Sequence, residues 1–200
     1  AFALYFGLVP PAERNQALDV LLQDIRRHDN HLTTGIFGTK YMLNALTDAG
    51  QADAAYALVN QKTFPGWGHM LSKGATTLWE HWEFSDDTYS HNHPMFGSVS
   101  EWFFKALAGI RPDPSARGFD HILIQPEPVG DLTWVRAHYD SVRGRIVSSW
   151  QRKGDQFQLR VEIPVGMTAI IVLPHRDGAV VKESGKALSK ARGITELARE

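Results

Sequence analysis

Glu80 and His93 stand in a stretch that concentrates hydrogen-bonding groups and indoles: Gly74-Ala-Thr-Thr-Leu-Trp-Glu-His-Trp82, Ser90-His-Asn-His-Pro-Met-Phe-Gly97 and Ser98-Val-Ser-Glu-Trp102. A carboxylate can take a proton from water or hold a sugar hydroxyl, and imidazole and amide groups can bond the remaining hydroxyls. An indole can cover the apolar C–H face of a sugar ring. Together these residue types point to carbohydrate chemistry. Spacing alone leaves Glu80 open between a solvated or capping carboxylate and a catalytic one. Asp86-Asp87 is the fallback base, while Glu83 and Glu101 read as surface acids. For Trp67, Trp79 and Trp82, set in polar, Gly-rich sequence, stacking on a sugar and packing in a core are equally open. Trp102, Trp134 and Trp150 fall in periodic sequence and are expected in cores.

His91-Asn92-His93 spells the letters of a nuclease motif, but neither the ββα context nor a basic surface accompanies it. A metal gathered by His69, His81, His91 and His93 is disfavoured because their spacing fits no familiar cage and no Cys joins them. Substrate hydrogen bonding is the preferred reading of His93, and structural hydrogen bonding that of His91.

These groups need a frame, and the chain offers two kinds. Leu18, Leu21, Leu22 and Ile25, after Pro11, fall at helical spacing and predict one buried stripe. A second helix is expected from near Thr39 through Met42, Leu43 and Leu46 to the Asp48-Ala-Gly50 stop, and a third over 52–60. Residues 62–93 lack periodicity and read mainly as long loops with a short helix near Trp79; loops of that length usually serve function or are disordered. Phe96, Val99, Phe103 and Leu107 restore a helix closed by Gly109. Thr33-Thr34-Gly35 and Gly38 are candidates for shaping a loop near the site, though a purely structural role is the stronger reading. Beyond Arg111-Pro-Asp-Pro114 the pattern turns to alternation, clearest at Phe157, Leu159, Val161 and Ile163. Further strands are expected over 121–125, 132–139, 145–151 and 168–173, which argues for an antiparallel β-sandwich.

The chain has 200 residues, a formal net charge of −1 and no Cys. Such a charge gathers no nucleic acid, and the missing cysteines exclude disulfides, thiolate nucleophiles and Cys-ligated zinc. No apolar run approaches the ~18 residues of a membrane span. The start, Ala1-Phe-Ala-Leu-Tyr-Phe-Gly-Leu-Val-Pro10, lacks a basic flank and an initiator Met, so the chain is expected to be a piece of a longer one.

Taken as a set, that start, Thr34-Gly-Ile-Phe-Gly-Thr39, Leu46-Thr-Asp-Ala-Gly50, Pro65-Gly-Trp67, Gly74-Ala-Thr-Thr-Leu-Trp-Glu80, Asn92-His93, Ala108-Gly-Ile-Arg-Pro112, Gly118-Phe119 and Ser148-Ser-Trp150 resemble the C-terminal portion of bacterial α-L-rhamnosidases of glycoside hydrolase family 78. The resemblance implies multiple domains, α then β: partial (α/α)6 barrel helices over residues 1–110, as the C-terminal part of the catalytic barrel, and a C-terminal antiparallel β-sandwich domain over 111–200. It implies inverting hydrolysis of terminal α-L-rhamnose, with Glu80 as the general base, His93 as a substrate contact and Trp79, Trp82 and Trp67 as pocket walls. By the same resemblance the general acid lies upstream of this chain, so these residues alone should not hydrolyse glycosides efficiently. No metal or organic cofactor is implied, and the expected partner is a rhamnose-containing oligosaccharide or glycoside. With only part of the ring of helices, apolar faces should be uncovered and favour self-association. His81 stands where related chains often carry Arg or another polar residue. The sequence after Pro174, including Lys182-Glu-Ser-Gly-Lys186 and a helical-looking end over 195–200, departs from the usual sandwich ending. Two rival functions are an (α/α)6 glycosidase for another sugar and a noncatalytic carbohydrate-binding protein.

Overall fold

The computed structural model describes residues 1–87, 89–174 and 178–195, so the helical ending expected beyond Thr195 lies outside the described residues. Helices fill the first half: α1 (Phe2–Tyr5), α2 (Arg14–Arg27), α3 (Ile36–Asp48), α4 (Ala52–Val59), α5 (Trp67–Ser72) and α6 (Ser98–Trp102). In α2 the expected stripe is the packed one, with Leu22 and Ile25 buried and Leu18 and Leu21 packed partly buried beside them. Arg26 and Arg27 meet the negative end of its dipole, and Asp29 and Asn30 leave the helix in left-handed backbone. Helix α3 begins at Ile36 rather than near Thr39, because the Thr39 hydroxyl donates to the Gly35 carbonyl at 2.8 Å and meets Thr34 Oγ1 at 2.9 Å, fastening an earlier first turn. Its Met42, Leu43 and Leu46 sit at the centre of the helical core.

The loop stretch has its helix in a different place from the one expected. Residues 67–72 are helical and the segment around Trp79 is not. Trp67 and Met70 bury one side of α5, and Gly68 lies so close to the preceding chain that a Cβ there would overlap the Gln61 carbonyl. Around Trp79 the backbone groups bond across the loop instead of along a helix, from Glu80 N to Ser90 O and from His93 N to Leu78 O, both at 2.8 Å. The final helical stripe also shifts phase. Helix α6 runs into a π-helical turn at Phe103–Leu107; Phe103 faces outward, at 40% exposure, and the wider turn brings both Ala106 and Leu107 to the buried side with Trp102.

Six strands build the sandwich: β1 (Ile110–Pro112), β2 (His121–Ile124), β3 (Trp134–Ser141), β4 (Gly144–Lys153), β5 (Gln156–Glu162) and β6 (Thr168–Ile171). A small hairpin follows, β7 (Lys182–Glu183) with β8 (Lys186–Ala187). The order β3-β4-β5 is antiparallel throughout, and β5 shows the half-buried alternation read from its sequence. In the second sheet, β1-β2-β6, one pairing is parallel: β2 runs with β6 from His121 opposite Thr168 to Ile124 opposite Ile171. Ile110, Ile122, Ile124, Ile146 and Met167 fill the space between the sheets. Trp150 is buried, as expected of a core indole, but Trp134 is 59% exposed. The alternation of β3 turns Val135 and Ala137 inward, so Trp134 shares the outer face with Arg136, whose guanidinium lies 5.5 Å from its ring centroid.

The two halves are joined by hydrogen bonds as well as packing. Ser148 Oγ donates to Ala108 O at 2.6 Å and Trp150 Nε1 to Leu107 O at 2.7 Å, satisfying carbonyls at the end of the last helical turn. Gly109 then takes a left-handed conformation so near Gln125 and Pro126 that a side chain would overlap their backbone. From the other side, Gly130 N donates to Asp53 at 2.8 Å and the Tyr56 hydroxyl to Asp131 at 2.6 Å, tying α4 to the approach to β3. An aromatic face is left uncovered by the described residues: Phe2, 46% exposed, and Phe6, 54% exposed, pack on Tyr41 with ring centroids 5.0 and 5.1 Å from it. Among the described residues, no helix is long and apolar enough to cross a membrane.

Candidate active site

The loop after α5 is closed at its neck. Thr77 Oγ1 donates to His91 O, His93 N to Leu78 O, and Glu80 N to Ser90 O. The Glu80 side chain joins the same closure, because its Oε2 accepts from Ser90 N at 3.0 Å. Among the described residues this is the carboxylate's one hydrogen bond, so Oε1 has none. A backbone donor fixes one oxygen of Glu80 and leaves the other to face whatever enters beside it.

Trp79 and Trp82 turn inward, while Glu80 and His81 between them line the surface. Trp79 turns into the core, 3% exposed, with the rings of Phe84, His91 and His69 at 5.1, 5.9 and 6.5 Å. Trp82 also turns inward, stacked on Phe96 at 3.7 Å with Trp67 edge-on at 5.1 Å. Its Nε1 donates to the Thr34 carbonyl at 2.8 Å, which fastens the loop to the start of α3. Behind it, Trp67 Nε1 donates to Phe96 O at 3.1 Å. The N–H groups of Trp82 and Trp67 therefore each meet a carbonyl of a neighbouring segment, and the cluster of Trp67, Trp82 and Phe96 holds the loop in one geometry.

In front of that stack lies a shallow groove of about 400 Å³, lined by Gly35, Ile36, Phe37, Gly38, Glu80, His81, Trp82 and Phe96. Glu80 and Trp82, singled out in the sequence, thus share one surface. Trp67 and Trp79 lie behind it, with neighbours occupying their faces, and are not in its lining. His93, half-buried, sits at the loop neck opposite Leu78 and is also outside the lining. Asp86 and Asp87, the fallback pair, lie on the far part of the loop, likewise off the groove. Phe37, 68% exposed at the first turn of α3, is a lining residue that sequence reasoning missed. The signal was its place at the start of α3 between Gly35 and Gly38, off the stripe of Met42, Leu43 and Leu46. A second groove, of about 490 Å³, adjoins the first across Ile36 and Phe37 and contains Lys40, Tyr41, Met95 and Glu101.

Among the described residues, no three or more His, Asp or Glu side chains gather as a metal would need. The His81 ring lies tilted against Tyr89 with centroids 3.8 Å apart, and His91 stacks on Phe84 at 4.4 Å, so each of these imidazoles packs on an aromatic neighbour. The site is a carboxylate anchored on one oxygen, beside an aromatic surface and a groove open to a ligand.

Comparison with known proteins assigns the chain to a family. The profile described as bacterial alpha-L-rhamnosidase 6 hairpin glycosidase domain matches residues 1–107, and that of the bacterial alpha-L-rhamnosidase C-terminal domain matches residues 109–188. The chain belongs to the bacterial α-L-rhamnosidase family. An α-L-rhamnosidase of Streptomyces avermitilis is 38% identical over 179 residues, covering 86% of this chain and 17% of that protein. One from an Alteromonas species is 31% identical, covering 96% of this chain and 22% of that protein. Among solved structures, the α-L-rhamnosidase from Dictyoglumus thermophilum superimposes with a TM-score of 0.89 at 40% identity, covering 98% of this chain and 22% of that one. The Streptomyces avermitilis α-L-rhamnosidase complexed with L-rhamnose gives 0.82 at 37% identity, covering 92% and 19%. The chain therefore spans about a fifth of the length of the relatives it matches. The helical and sandwich halves are the family's six-hairpin and C-terminal domains in the order the sequence led us to expect.

Proposed function

We propose that this chain provides the general base and one wall of the sugar pocket in an inverting α-L-rhamnosidase. The observation that carries the reading is the anchoring of Glu80: Oε2 is held by the Ser90 N–H, and the carboxylate lines the groove with Trp82 and Phe37. A base needs one fixed orientation and one free oxygen, and this arrangement supplies both. Glu80 takes a proton from a water as that water's oxygen attacks the anomeric carbon of a terminal rhamnosyl unit. The C–O bond to the leaving group breaks, and a second carboxyl group on the opposite face of the sugar protonates the departing oxygen, at ~6.5–9.5 Å from the first. That second group belongs to a part of the enzyme preceding this chain, in line with the fraction of the relatives' length covered here. No cofactor enters the reaction.

Substrate contacts follow in the same reading. The exposed rim of Trp82 and the ring of Phe37 cover apolar faces of the sugar, and His93 reaches a hydroxyl from the loop neck. Trp67 and Trp79 act from behind, keeping Trp82 and Glu80 in place. L-Rhamnose in the Streptomyces avermitilis relative supports this sugar as the unit bound.

The test is hydrolysis of a panel of aryl glycosides, α-L-rhamnoside included, by the enzyme carrying this segment and by its Glu80→Gln variant. Rhamnose release that falls ~10²–10⁴-fold in the variant supports the base. Proton NMR of the sugar at early times distinguishes the two stereochemical courses, and release of the β anomer first supports inversion. An unchanged rate in Glu80→Gln removes Glu80 from the mechanism. Turnover of another glycoside alone replaces rhamnose as the substrate.

A further inference from the structure

His81 and Tyr89 occupy a position that the proposed mechanism does not use. His81 follows Glu80 and Tyr89 precedes Ser90, so the two flank the paired residues at the neck of the loop. Their rings lie 3.8 Å apart at an angle of 31°. His81 is exposed and lines the groove with Glu80 and Trp82, and Tyr89 is 38% exposed. Neither the imidazole nitrogens nor the phenol oxygen has a hydrogen-bond partner among the described residues. The tilted ring contact covers part of one face of the imidazole and restricts its rotation, while its nitrogens have no partner among the described residues at the lip of the groove.

From this geometry we propose that His81 is a specificity-determining residue that hydrogen-bonds a hydroxyl of the sugar bound beside Glu80, and that Tyr89 is the positioning residue that holds its ring. The proposal rests on the reading of the groove as a sugar site. Neutral imidazole offers one donor and one acceptor, matching the two roles of a sugar hydroxyl and giving no advantage to an acidic sugar. The ring is mounted on the same paired backbone as the base, so the hydroxyl it binds is fixed relative to the attacking water. Tyr89 contributes through its ring and not through its hydroxyl, because the contact is between the two rings, tilted at 31°.

Three variants of the enzyme carrying this segment separate these roles, assayed with aryl α-L-rhamnoside. His81→Phe keeps the stack and removes both nitrogens; kcat/KM should fall about 3–10-fold, mostly in KM. Tyr89→Phe should match the wild type, and Tyr89→Ala should lose part of what His81→Phe loses, with the melting temperature unchanged in each. A measurement that needs no His81 variant backs these: in Glu80→Gln protein labelled with 15N-histidine, titration with L-rhamnose should shift the ring nitrogens of His81. A His81→Phe enzyme within twofold of wild type in kcat/KM, or His81 nitrogens unmoved by saturating L-rhamnose, overturns the proposal while leaving Glu80 as base. Full activity of Glu80→Gln instead overturns the underlying reading of the groove.

Discussion

Replacing Ser148 with Ala tests the joint between the helical half and the sandwich. Ser148 has no exposed surface, and its hydroxyl donates to Ala108 O at 2.6 Å. Two residues along β4, on the same face, Trp150 donates to Leu107 O at 2.7 Å. The two acceptors are the last residue of the π-helical turn and the residue after it, where no further helical turn can supply a donor. Removing the Ser148 hydroxyl leaves the Ala108 carbonyl in an apolar surround formed by Ile110, Ile124 and Ile146 without that donor. A buried acceptor deprived of its partner costs about 1–3 kcal/mol. In a chain of this size each kcal/mol moves the midpoint by ~2–4 °C, so a loss of about 2 kcal/mol lowers it by ~4–8 °C. Urea titration followed by circular dichroism measures the change. Ser149→Ala, on the opposite face of the same strand, is the control and should stay within ~0.5 kcal/mol of wild type. A Ser148→Ala protein as stable as the control would refute the idea that the sandwich stabilises the end of the last helical turn.

Other substitutions probe the same architecture. Asp53→Ala removes the acceptor of the Gly130 N–H and an acid from the first turn of α4, and should cost ~1–2 kcal/mol in the same urea assay. Trp134→Ser, on the outer face of β3, should change stability by less than ~0.5 kcal/mol, whereas Trp150→Phe should lose ~2 kcal/mol. Two acids should give opposite pH dependences in thermal melts. Burial pushes the Glu101 carboxyl up, but hydrogen bonds from Lys105 and Lys40 outweigh it and hold it below the usual carboxylate range. With the folded value below the unfolded one, its stabilisation is present above the unfolded value and is lost as pH falls through the folded one. Glu101→Gln should therefore be destabilising at neutral pH and converge with wild type in acid. Glu127 is raised by burial, against the pull of Arg111 at 3.5 Å and with a further push from Asp53. Its contribution is full below the unfolded value and is lost as pH rises through the folded one, so Glu127→Gln should gain on wild type as pH rises through the raised folded value.

Periodic segments were legible from the sequence because one local rule decided them. Leu18, Leu21, Leu22 and Ile25 can share a core only on a helix, and Phe157, Leu159 and Val161 only on a strand with one dry face. The motif set also sufficed to identify the family, since residue identities carry that information without coordinates. Where two local rules competed, tertiary contact decided. Trp134 and Trp150 look alike in sequence, but only the register of β3 against β4 shows that the first faces out and the second in. Trp102 took the buried position that helical spacing assigned to Phe103, ahead of a π-helical turn. In the loop over 73–93, backbone pairing at the neck replaced the helix expected near Trp79, an effect invisible to any window of adjacent residues. The candidate site divides in the same way. Sequence supplied Glu80 and the indoles as chemical types. Folding decided that Trp82 lines the groove while Trp67 and Trp79 support it from behind, and it brought Phe37 to the groove from a distant helix start. Residue type determines what a side chain can do chemically, but which face it presents depends on long-range packing that no local pattern encodes.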